Sequence, residues 1–461
     1  MERIAILGSG MAGFGAAHRL HEEGVPSITY DKNAYYGGHT ASFKHSSGFI
    51  FDDGPHVSFT KHERLQKFFA DNVDQKYEII RSRPNNYWKG YWIKHPAICN
   101  LFGLPTDLVV NCLRDFSASY HDQQNAVQRK PIGNYAEWLI ASYGKTFAEI
   151  FPMAYGLKFH TTTADNMSTD WLGPRLYRAN LEEVLGGALS TETPHVHYVD
   201  CVRYPSYNGF VSYLSVLPRL TQLQLGYQLV RLDPRAQELH FANGVVASYD
   251  AIISSVPLTE LVPMIVGAPP DVVAAGKRLA CTSCVMVNLG INRADLSEGQ
   301  WTYFYDRDIC FSRLSFPHMF SPHTVPPGCG SIQAEVYFSK KYRPLEGSPA
   351  DCVAPVIADL RRCGVLREDD QILHTNVKVC HHAQVIFDLE RADALATVHG
   401  YLDDVGVAYC GRYGDWLYSW TDEAFISGEN AAQKTLGRLA VNKNSQMKGN
   451  RFIFGYEERA S

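Results

Sequence analysis

The sequence has no run of about 18 apolar residues, so no segment is expected to span a membrane. Nor does it have an excess of positive charge, because 43 Lys and Arg stand against 48 Asp and Glu, giving a net charge of −5. Without a basic tract, nucleic acid is not expected as a partner. The first strand is predicted to begin at residue 3, which leaves no room for a signal peptide.

The sequence also has few cysteines and histidines at the spacings that metal sites need. The eleven cysteines are an odd number scattered over the chain, which is typical of reduced thiols and predicts a cytoplasmic protein. Cys281 and Cys284 form a single C-x-x-C beside the apolar stretch 285–289, so core packing is favoured over redox chemistry. His381-His382 has no carboxylate at a metal-like spacing, and no metal is predicted. No Ser-His-Asp or paired-carboxylate arrangement is found.

The first forty residues carry the richest pattern. Residues 3–7 indicate a buried strand, 14–23 a helix and 28–30 a second strand. A G-x-G-x-x-G turn joins the first strand to the helix, and its residues are Gly8, Ser9, Gly10, Met11, Ala12 and Gly13. This order predicts a β-α-β unit that binds a dinucleotide, with the pyrophosphate at the helix N-terminus.

Each glycine of the turn has an expected role. Gly8 permits the tight turn, Gly10 lets the backbone approach the pyrophosphate, and Gly13 lets helix and strand pack closely. Asp31 ends the second strand eighteen residues after Gly13 and is placed to bond ribose hydroxyls. Lys32 follows it and is a further candidate for cofactor contact.

A Gly-Gly pair lies just beyond the acidic residue, in Gly37-Gly38-His39-Thr40. It resembles the second fingerprint of the flavin amine oxidase / protoporphyrinogen oxidase superfamily, in which such a pair lies against the FAD pyrophosphate. The alternative interpretation is a surface turn. The resemblance implies that FAD is the cofactor and that Gly38, His39 and Thr40 contact it together with Met11 and Ala12.

The resemblance to this superfamily extends to the C-terminal stretch Gly411-Arg412 and the helix after it, and implies an α/β fold. A Rossmann-like FAD-binding domain of the p-hydroxybenzoate hydroxylase-like layout would carry an inserted helical block and an antiparallel β-sheet substrate domain. The expected boundaries are residues 1–90, 195–257 and 400–440 for the FAD-binding domain, 91–194 for the helical insertion, 258–399 for the sheet domain and 441–461 for a polar tail.

Two helices matter for this layout. Residues 209–220 indicate a return helix, and residues 427–440 indicate a final helix that closes over the cofactor. Asp422 and Glu423 are expected to cap the final helix, and Asp422 is a candidate for cofactor contact.

Several stretches resemble UDP-galactopyranose mutase of the eukaryotic type. They are residues 51–57, Lys158-Phe159 with 167–168 and 171–175, residues 301–304 with Arg313 and 321–322, and residues 411–418. The resemblance implies that Gly54 and Pro55 set His56 beside the isoalloxazine. It further implies that Tyr303, Arg313, Arg412 and Tyr418 hold the substrate diphosphate or the flavin edge.

Two segments depart from the mutase pattern. The uracil-binding segment of that family is Tyr-Pro-Phe-Gln-like, whereas residues 94–98 here are Lys-His-Pro-Ala-Ile. The family has a diphosphate-binding tyrosine before the stretch 389–391, where this chain has Gln384 or its neighbours. The nucleotide of the substrate is therefore left open.

Each candidate residue also has a structural interpretation. Arg313 lies in an apolar strand and needs an anionic partner, which is either the substrate or a protein carboxylate. Arg412 follows a buried strand, and its guanidinium suits two oxygens of one phosphate. Tyr303 and Tyr418 could equally be core aromatics, and His56 a structural loop histidine.

The resemblance implies a reduced flavin that acts on the anomeric carbon of an NDP-sugar or similar anionic glycosyl substrate. The rival interpretation is an FAD-dependent oxidoreductase of the amine oxidase / protoporphyrinogen oxidase type that oxidises a C–N or C–C bond. A non-catalytic FAD-binding scaffold is the third. A small-molecule substrate and NAD(P)H or another reductant are the expected partners, and an oligomer is compatible with the sequence.

Overall fold

The computed structural model describes residues 3–125, 131–173, 176–194 and 199–454, with side chains described except at 123–125 and 442–454. The chain divides into two compact units. The first unit comprises Met1–Gly38, Leu214–Arg278 and Asp393–Ser461, and the second comprises His39–Tyr213 and Leu279–Ala392.

The strands and helices are as follows. The strands are β1 (Ile4–Leu7), β2 (Ser27–Asp31), β3 (Ser42–Lys44), β4 (Ile50–Asp52), β5 (Tyr77–Arg81), β6 (Pro84–Trp88), β7 (Tyr91–Lys94), β8 (Cys201–Pro205), β9 (Gln222–Leu225), β10 (Leu229–Asp233), β11 (Glu238–Phe241), β12 (Val246–Ser248), β13 (Ala251–Ser254), β14 (Thr282–Ile291), β15 (Trp301–Phe304), β16 (Arg313–Ser315), β17 (Gly330–Ser339), β18 (Ile372–Cys380) and β19 (Val407–Tyr409). The helices are α1 (Met11–Glu22), α2 (Glu63–Asn72), α3 (Thr106–Asn125), α4 (Tyr135–Tyr143), α5 (Lys145–Ile150), α6 (Pro152–Phe159), α7 (Leu181–Leu189), α8 (Leu258–Met264), α9 (Pro270–Arg278), α10 (Val353–Arg362), α11 (Arg391–Asp404) and α12 (Thr421–Phe454).

The first unit is built on a parallel five-stranded sheet in the order β19-β13-β1-β2-β9. Its central strand β1 is apolar and buried throughout, as expected for a parallel sheet that is covered on both faces. Helix α1 packs its alanine-rich side against α12, and a Cβ atom on Gly428 would lie 1.9 Å from the carbonyl O of Ala12. The backbones of these two helices therefore touch, which only glycine permits. A small antiparallel meander, β10-β11-β12, completes the unit.

The second unit is built on a seven-stranded sheet in the order β18-β14-β17-β16-β15-β6-β7. Strand β6 pairs with β15 in parallel, and the other pairs are antiparallel. One face packs on a cluster that includes Val285, Val287, Leu314 and Leu360. Residues 84–90 are expected in the FAD-binding domain and residues 91–94 in the helical insertion. Strands β6 and β7 instead extend this sheet, because Asn85 and Tyr87 pair with residues of β15.

Two predicted helices differ in the structure. Residues 209–220 form two short 3-10 turns, Phe210–Leu214 and Leu217–Arg219, because Gly209 has φ +80° and Pro218 interrupts the segment. The final helix begins at Thr421, six residues earlier than predicted, and the Glu423 carboxylate accepts the backbone N–H of Trp420 at 2.8 Å. It continues to Phe454, so most of the expected polar tail is helical. Residues 455–461 lie outside the described part.

Helix α1 also starts three residues before its predicted beginning, at Met11. Of the two cysteines of the C-x-x-C, Cys284 packs in a buried cluster with Phe159, Met286 and Tyr337. Among the described residues, no helix combines the length and the apolar character needed to cross a bilayer.

Candidate functional site

The glycine turn of the first unit has the predicted geometry. Gly8 has φ +98°, and its backbone N–H donates to the carbonyl O of Tyr30 at 2.8 Å. A Cβ atom on Gly13 would lie 1.8 Å from the carbonyl O of Gly8, so the helix can approach the strand only because residue 13 has no side chain. The buried residues Met11 and Ala12 begin the helix, whose unpaired N–H groups face the turn.

The Gly37-Gly38 pair lies directly against this turn. Gly37 donates its N–H to the carbonyl O of Ser9 at 2.9 Å and forms a parallel bridge with Gly10. A Cβ on Gly38, which has φ +55°, would lie 3.2 Å from Cα of Gly10. The two glycine segments therefore meet backbone to backbone. The lack of side chains at Gly8, Gly10, Gly37 and Gly38 and the nearby N-terminus of α1 fit a diphosphate, and we call residues 8–13 with 37 and 38 the glycine cradle.

Asp31 has a structural role in the turn. It is buried, and its carboxylate accepts the N–H and hydroxyl of Ser9 at 2.8 and 2.6 Å and the N–H of Asn33 at 2.8 Å. These bonds hold the first glycine segment in place. The ribose contact stays a prediction. Lys32 is exposed, and its Nζ lies 3.4 Å from a carboxylate oxygen of Glu260.

The end of β19 approaches the start of α1. Gly411 has φ +75°, and a Cβ on it would lie 2.5 Å from Cβ of Ala12. Its N–H donates to the Ser427 hydroxyl at 2.9 Å, and that hydroxyl donates to the Asp415 carboxylate. Asp422 is buried in the first turn of α12. The strand end, the α1 N-terminus and the last helix therefore surround the same part of the cradle.

Arg412 and Tyr418 lie together in the segment after β19. The Arg412 Nε donates to the carbonyl O of Ser419 at 3.0 Å, and its Nη2 donates to the same oxygen. The guanidinium carbon lies 5.3 Å from the centre of the Tyr418 ring, within range of a cation–π contact. These contacts fix the direction of the guanidinium, as a ligand-binding arginine requires.

His56 is held by the loop that carries it. Gly54 has φ +101°, and its carbonyl O accepts from His56 Nδ1 at 2.8 Å, which places a proton on Nδ1. Pro55 lies between them, and the imidazole packs 5.6 Å from the Phe210 ring. A Cβ atom on Gly54 would lie 3.6 Å from the sulfur of Met286 on the seven-stranded sheet. The predicted loop histidine therefore lies beside that sheet with a fixed ring orientation.

Asp52 anchors the start of this loop. Its carboxylate accepts the Ser42 hydroxyl at 2.5 Å, the Tyr204 hydroxyl at 2.8 Å and the N–H of Phe210 at 3.1 Å. Burial nevertheless raises the pKa of Asp52 to about 6, and these hydrogen bonds oppose the rise.

This raised pKa predicts a pH-dependent stability. Between the ordinary value of 3.8 and about 6, the folded protein binds the Asp52 proton more tightly than the unfolded chain does. The free energy of unfolding should therefore fall by roughly 3 kcal/mol as the pH rises through this window. Urea titrations at pH 4 to 7 measure this slope, which Asp52→Asn should remove. Asp404→Asn, at an exposed site, should keep it, and an unchanged slope in Asp52→Asn would contradict the assignment.

His39 and Thr40 begin the second unit. Thr40 is buried, and His39 Nδ1 lies 3.3 Å from the Cys380 sulfur and 3.7 Å from a carboxylate oxygen of Asp53. Burial lowers the pKa of His39, but Cys380 and Asp53 outweigh it and raise the pKa to about 10. An imidazolium at this position is therefore stabilised next to the second glycine of the pair.

The anionic partner of Arg313 is a protein carboxylate, which is one of the two alternatives that its sequence context leaves open. Its Nε and Nη2 donate to the two oxygens of Glu335 at 2.7 and 2.8 Å, as a planar bidentate pair. The Tyr337 hydroxyl donates to the same carboxylate at 3.2 Å. The Glu335 side chain is 3% exposed and the Arg313 side chain 23%. Most of the arginine charge is therefore already neutralised inside the protein.

Tyr303 lies opposite Arg313, and Arg313 opposite Glu335, on neighbouring strands. With Asn86, which lies opposite Tyr303, these side chains follow one another across one face of the sheet, and we call them the polar row. The Tyr303 hydroxyl accepts from Trp301 Nε1 at 3.0 Å. Its ring packs edge-on against Tyr155 at 5.5 Å and lies 5.3 Å from His95.

Two residues have no role assigned from the sequence, namely Glu335 in this row and Lys158 near it. Glu335 could have been suspected, since a single acid in an apolar strand matches the single arginine of the neighbouring strand. Lys158 is buried, and its Nζ donates to the carbonyl oxygens of Phe304 and Asp306 at 3.1 and 2.9 Å. Burial lowers the pKa of Lys158 to about 8. Pro174 and Arg175 of the mutase-like stretch lie outside the described residues.

Sequence comparisons agree with the dinucleotide-binding prediction. A family profile described as an NAD(P)-binding Rossmann-like domain matches residues 6–71. The 1-hydroxycarotenoid 3,4-desaturase of Flavobacterium sp. (strain P99-3) is 32% identical over 92 residues, 19% of each chain. The 4,4'-diapophytoene desaturase of Staphylococcus haemolyticus (strain JCSC1435) is 37% identical over 79 residues, 16% of each chain. The matches thus span less than a fifth of these relatives.

Solved structures match along nearly the whole chain. A reduced UDP-galactopyranose mutase superposes with a TM-score of 0.88 at 24% identity, covering 95% of this chain and 96% of the other. A putative protoporphyrinogen oxidase from Exiguobacterium sp. 255-15 gives 0.70 at 16% identity, with coverages of 95% and 99%. A putrescine oxidase double mutant gives 0.62 at 13% identity, with coverages of 95% and 99%. The predicted α/β fold is confirmed, and the chain has the fold of these mutase and oxidase structures.

Proposed function

We propose that this chain is an FAD-dependent flavoenzyme that acts on a small anionic glycosyl substrate in the manner of UDP-galactopyranose mutase. The observation that carries the proposal is the likeness to that mutase over 95% of the chain, at a TM-score of 0.88. The mutase-like residue stretches add support, because His56, Tyr303, Arg313, Arg412 and Tyr418 all belong to them.

The glycine cradle is the proposed FAD site. The N-terminus of α1 and the glycines beside it would hold the two phosphates, and Asp31 keeps the turn in that shape through Ser9. A bound, reduced FAD would supply an electron-rich ring nitrogen as nucleophile for the anomeric carbon. The protein residues would orient the sugar and stabilise the leaving anion.

In the second unit, the polar row is the proposed substrate contact. Glu335 holds Nε and Nη2 of Arg313, while Nη1 takes no part in that pair. We therefore propose that Arg313 binds a substrate oxygen through Nη1 alone and not through its whole guanidinium. The Tyr303 hydroxyl lies on the neighbouring strand and would add a second contact. Arg412 stays a second, separate candidate for an anion contact, and its guanidinium is oriented by the bonds that Nε and Nη2 donate to the carbonyl O of Ser419.

The experiment is a screen of NDP-sugars against the purified holoprotein, with and without dithionite under anaerobic conditions. We expect turnover only with reduced flavin, and a product of the same mass as its substrate. Bleaching of the flavin by a substrate alone, or stoichiometric formation of peroxide, would exclude the mutase-like reaction.

That second outcome would support the alternative, an FAD-dependent oxidoreductase acting on a C–N or C–C bond. The likeness to the protoporphyrinogen oxidase and to putrescine oxidase favours this alternative, although at the lower TM-scores of 0.70 and 0.62. The same assay therefore separates the two functions. The mutase-like reaction needs reduced flavin and leaves it reduced, whereas the oxidoreductase starts from oxidised flavin and reduces it.

A further inference from the structure

A histidine and two glutamates come together on the outer side of the first unit, where α1 packs against α12. His18 Nδ1 lies 3.2 Å from Oε1 of Glu429 and 3.8 Å from Oε2 of Glu22. One ligand atom of each residue lies within 4.8 Å of the other two. None of the three residues belongs to the glycine cradle or to the mutase-like stretches.

The spacing matches what a small divalent ion needs. Zinc binds nitrogen and oxygen ligands at about 2.0–2.2 Å, so two ligands of a tetrahedral site lie roughly 3.3–3.5 Å apart. The His18–Glu429 and His18–Glu22 distances bracket this value, at 3.2 and 3.8 Å. Only a small movement of the exposed Glu22 side chain would bring all three ligand atoms onto one ion.

The backbone holds two of the three ligands firmly in place. A Cβ on Gly15 would lie 2.0 Å from the carbonyl O of Phe425, and one on Gly428 would lie 1.9 Å from that of Ala12. The helices therefore cannot slide past each other near the site. The side chains of His18 and Glu429 are only 12% and 10% exposed, which limits their rotamers.

Charge and ligand type indicate the kind of ion. Two carboxylates with a neutral imidazole carry two negative charges, which a divalent cation balances. Imidazole suits zinc and other late transition metals rather than Mg²⁺ or Ca²⁺, which prefer oxygen ligands. The 44% exposure of Glu22 leaves solvent access for a water molecule as fourth ligand. We propose that His18, Glu22 and Glu429 bind one divalent transition-metal ion, such as Zn²⁺, that links α1 to α12.

Arg19 is the competing group, because its Nη1 lies 3.4 Å from Glu22. It has other partners, since its Nη2 lies 2.6 Å from Glu23 and its Nε donates to Gln433 at 3.0 Å. Arg19 can thus keep two contacts while Glu22 turns to the ion. A protonated His18 paired with the glutamates is the metal-free alternative.

The test is calorimetric titration of the chelator-treated holoprotein with Zn²⁺ alone. We expect one tight site in the wild type and its loss in His18→Ala and Glu429→Gln. Glu22→Gln, at a position 44% exposed, should weaken the binding. His21→Ala removes an exposed histidine of the same helix and should leave the binding unchanged.

A thermal scan provides the second readout. Zn²⁺ should raise the unfolding midpoint of the wild type and of His21→Ala, but not that of Glu429→Gln, because only a site joining the helices stabilises their contact. The proposal is overturned if the wild type binds Zn²⁺ no more tightly than Glu429→Gln and Glu22→Gln do. Flavin content should be the same in all these variants, which separates this test from the proposed function.

Discussion

Gly10→Arg should leave the protein folded but without flavin. Gly10 has φ −81° and ψ −171°, a conformation open to any residue, and an added Cβ would lie 3.7 Å from its nearest neighbours, Gly37 O and Gly38 Cα. The backbone therefore tolerates a side chain there. A long charged side chain would nevertheless fill the space that the diphosphate needs between the two glycine segments. We expect the flavin absorbance per chain to fall nearly to zero.

Circular dichroism and a urea titration would show whether Gly10→Arg is folded. The matched control is Gly437→Arg on α12, where an added Cβ meets open space, and it should keep its full flavin content. Normal flavin content in a folded Gly10→Arg would mean that the dinucleotide does not lie on the glycine cradle. Gly13→Ala is a poorer test, because its Cβ would clash with Gly8 at 1.8 Å and disturb the fold itself.

Arg313→Ala should strongly destabilise the second unit. It removes the bidentate partner of Glu335, a carboxylate only 3% exposed, and leaves that charge buried and unpaired. Breaking a buried pair in this way costs about 3–5 kcal/mol in the free energy of unfolding. Urea unfolding would measure it. Lys67→Ala, which breaks a pair with exposures of 77% and 48%, should cost below about 1 kcal/mol.

The double variant Arg313→Met with Glu335→Leu separates stability from function. Replacing both charges by apolar side chains should recover most of the lost stability, since neither charge is then left buried alone. If Arg313 contacts the substrate, the double variant should be stable and still inactive. A stable and fully active double variant would show that the pair is purely structural.

Local patterns made the cofactor half of the fold predictable. The first forty residues contain the glycine turn, the strands on either side of it and Gly37-Gly38. Glycine is needed at these positions because the backbone segments approach each other closely. The positions of β6 and β7 were not predictable in this way. The pairing of β6 with β15 joins residues about 217 apart in the chain, as Trp301 with Pro84 illustrates, and no local pattern encodes such a partner.

The same reason limits what could be inferred about individual side chains. Arg313 was recognised as a buried charge that needs an anion, but the choice between substrate and Glu335 depends on the register of two strands. Asp31 was recognised by its spacing, whereas its bonds to Ser9 depend on the fold of the turn. The His18 cluster was missed because Glu429 joins it from a helix 411 residues away.

The identity of the bound nucleotide tests the central claim most directly. The purified protein should be yellow, and heat denaturation followed by mass spectrometry of the supernatant should release FAD in an amount close to that of the chain. Release of FMN or NAD in place of FAD, or a colourless and folded protein with full activity, would contradict the account.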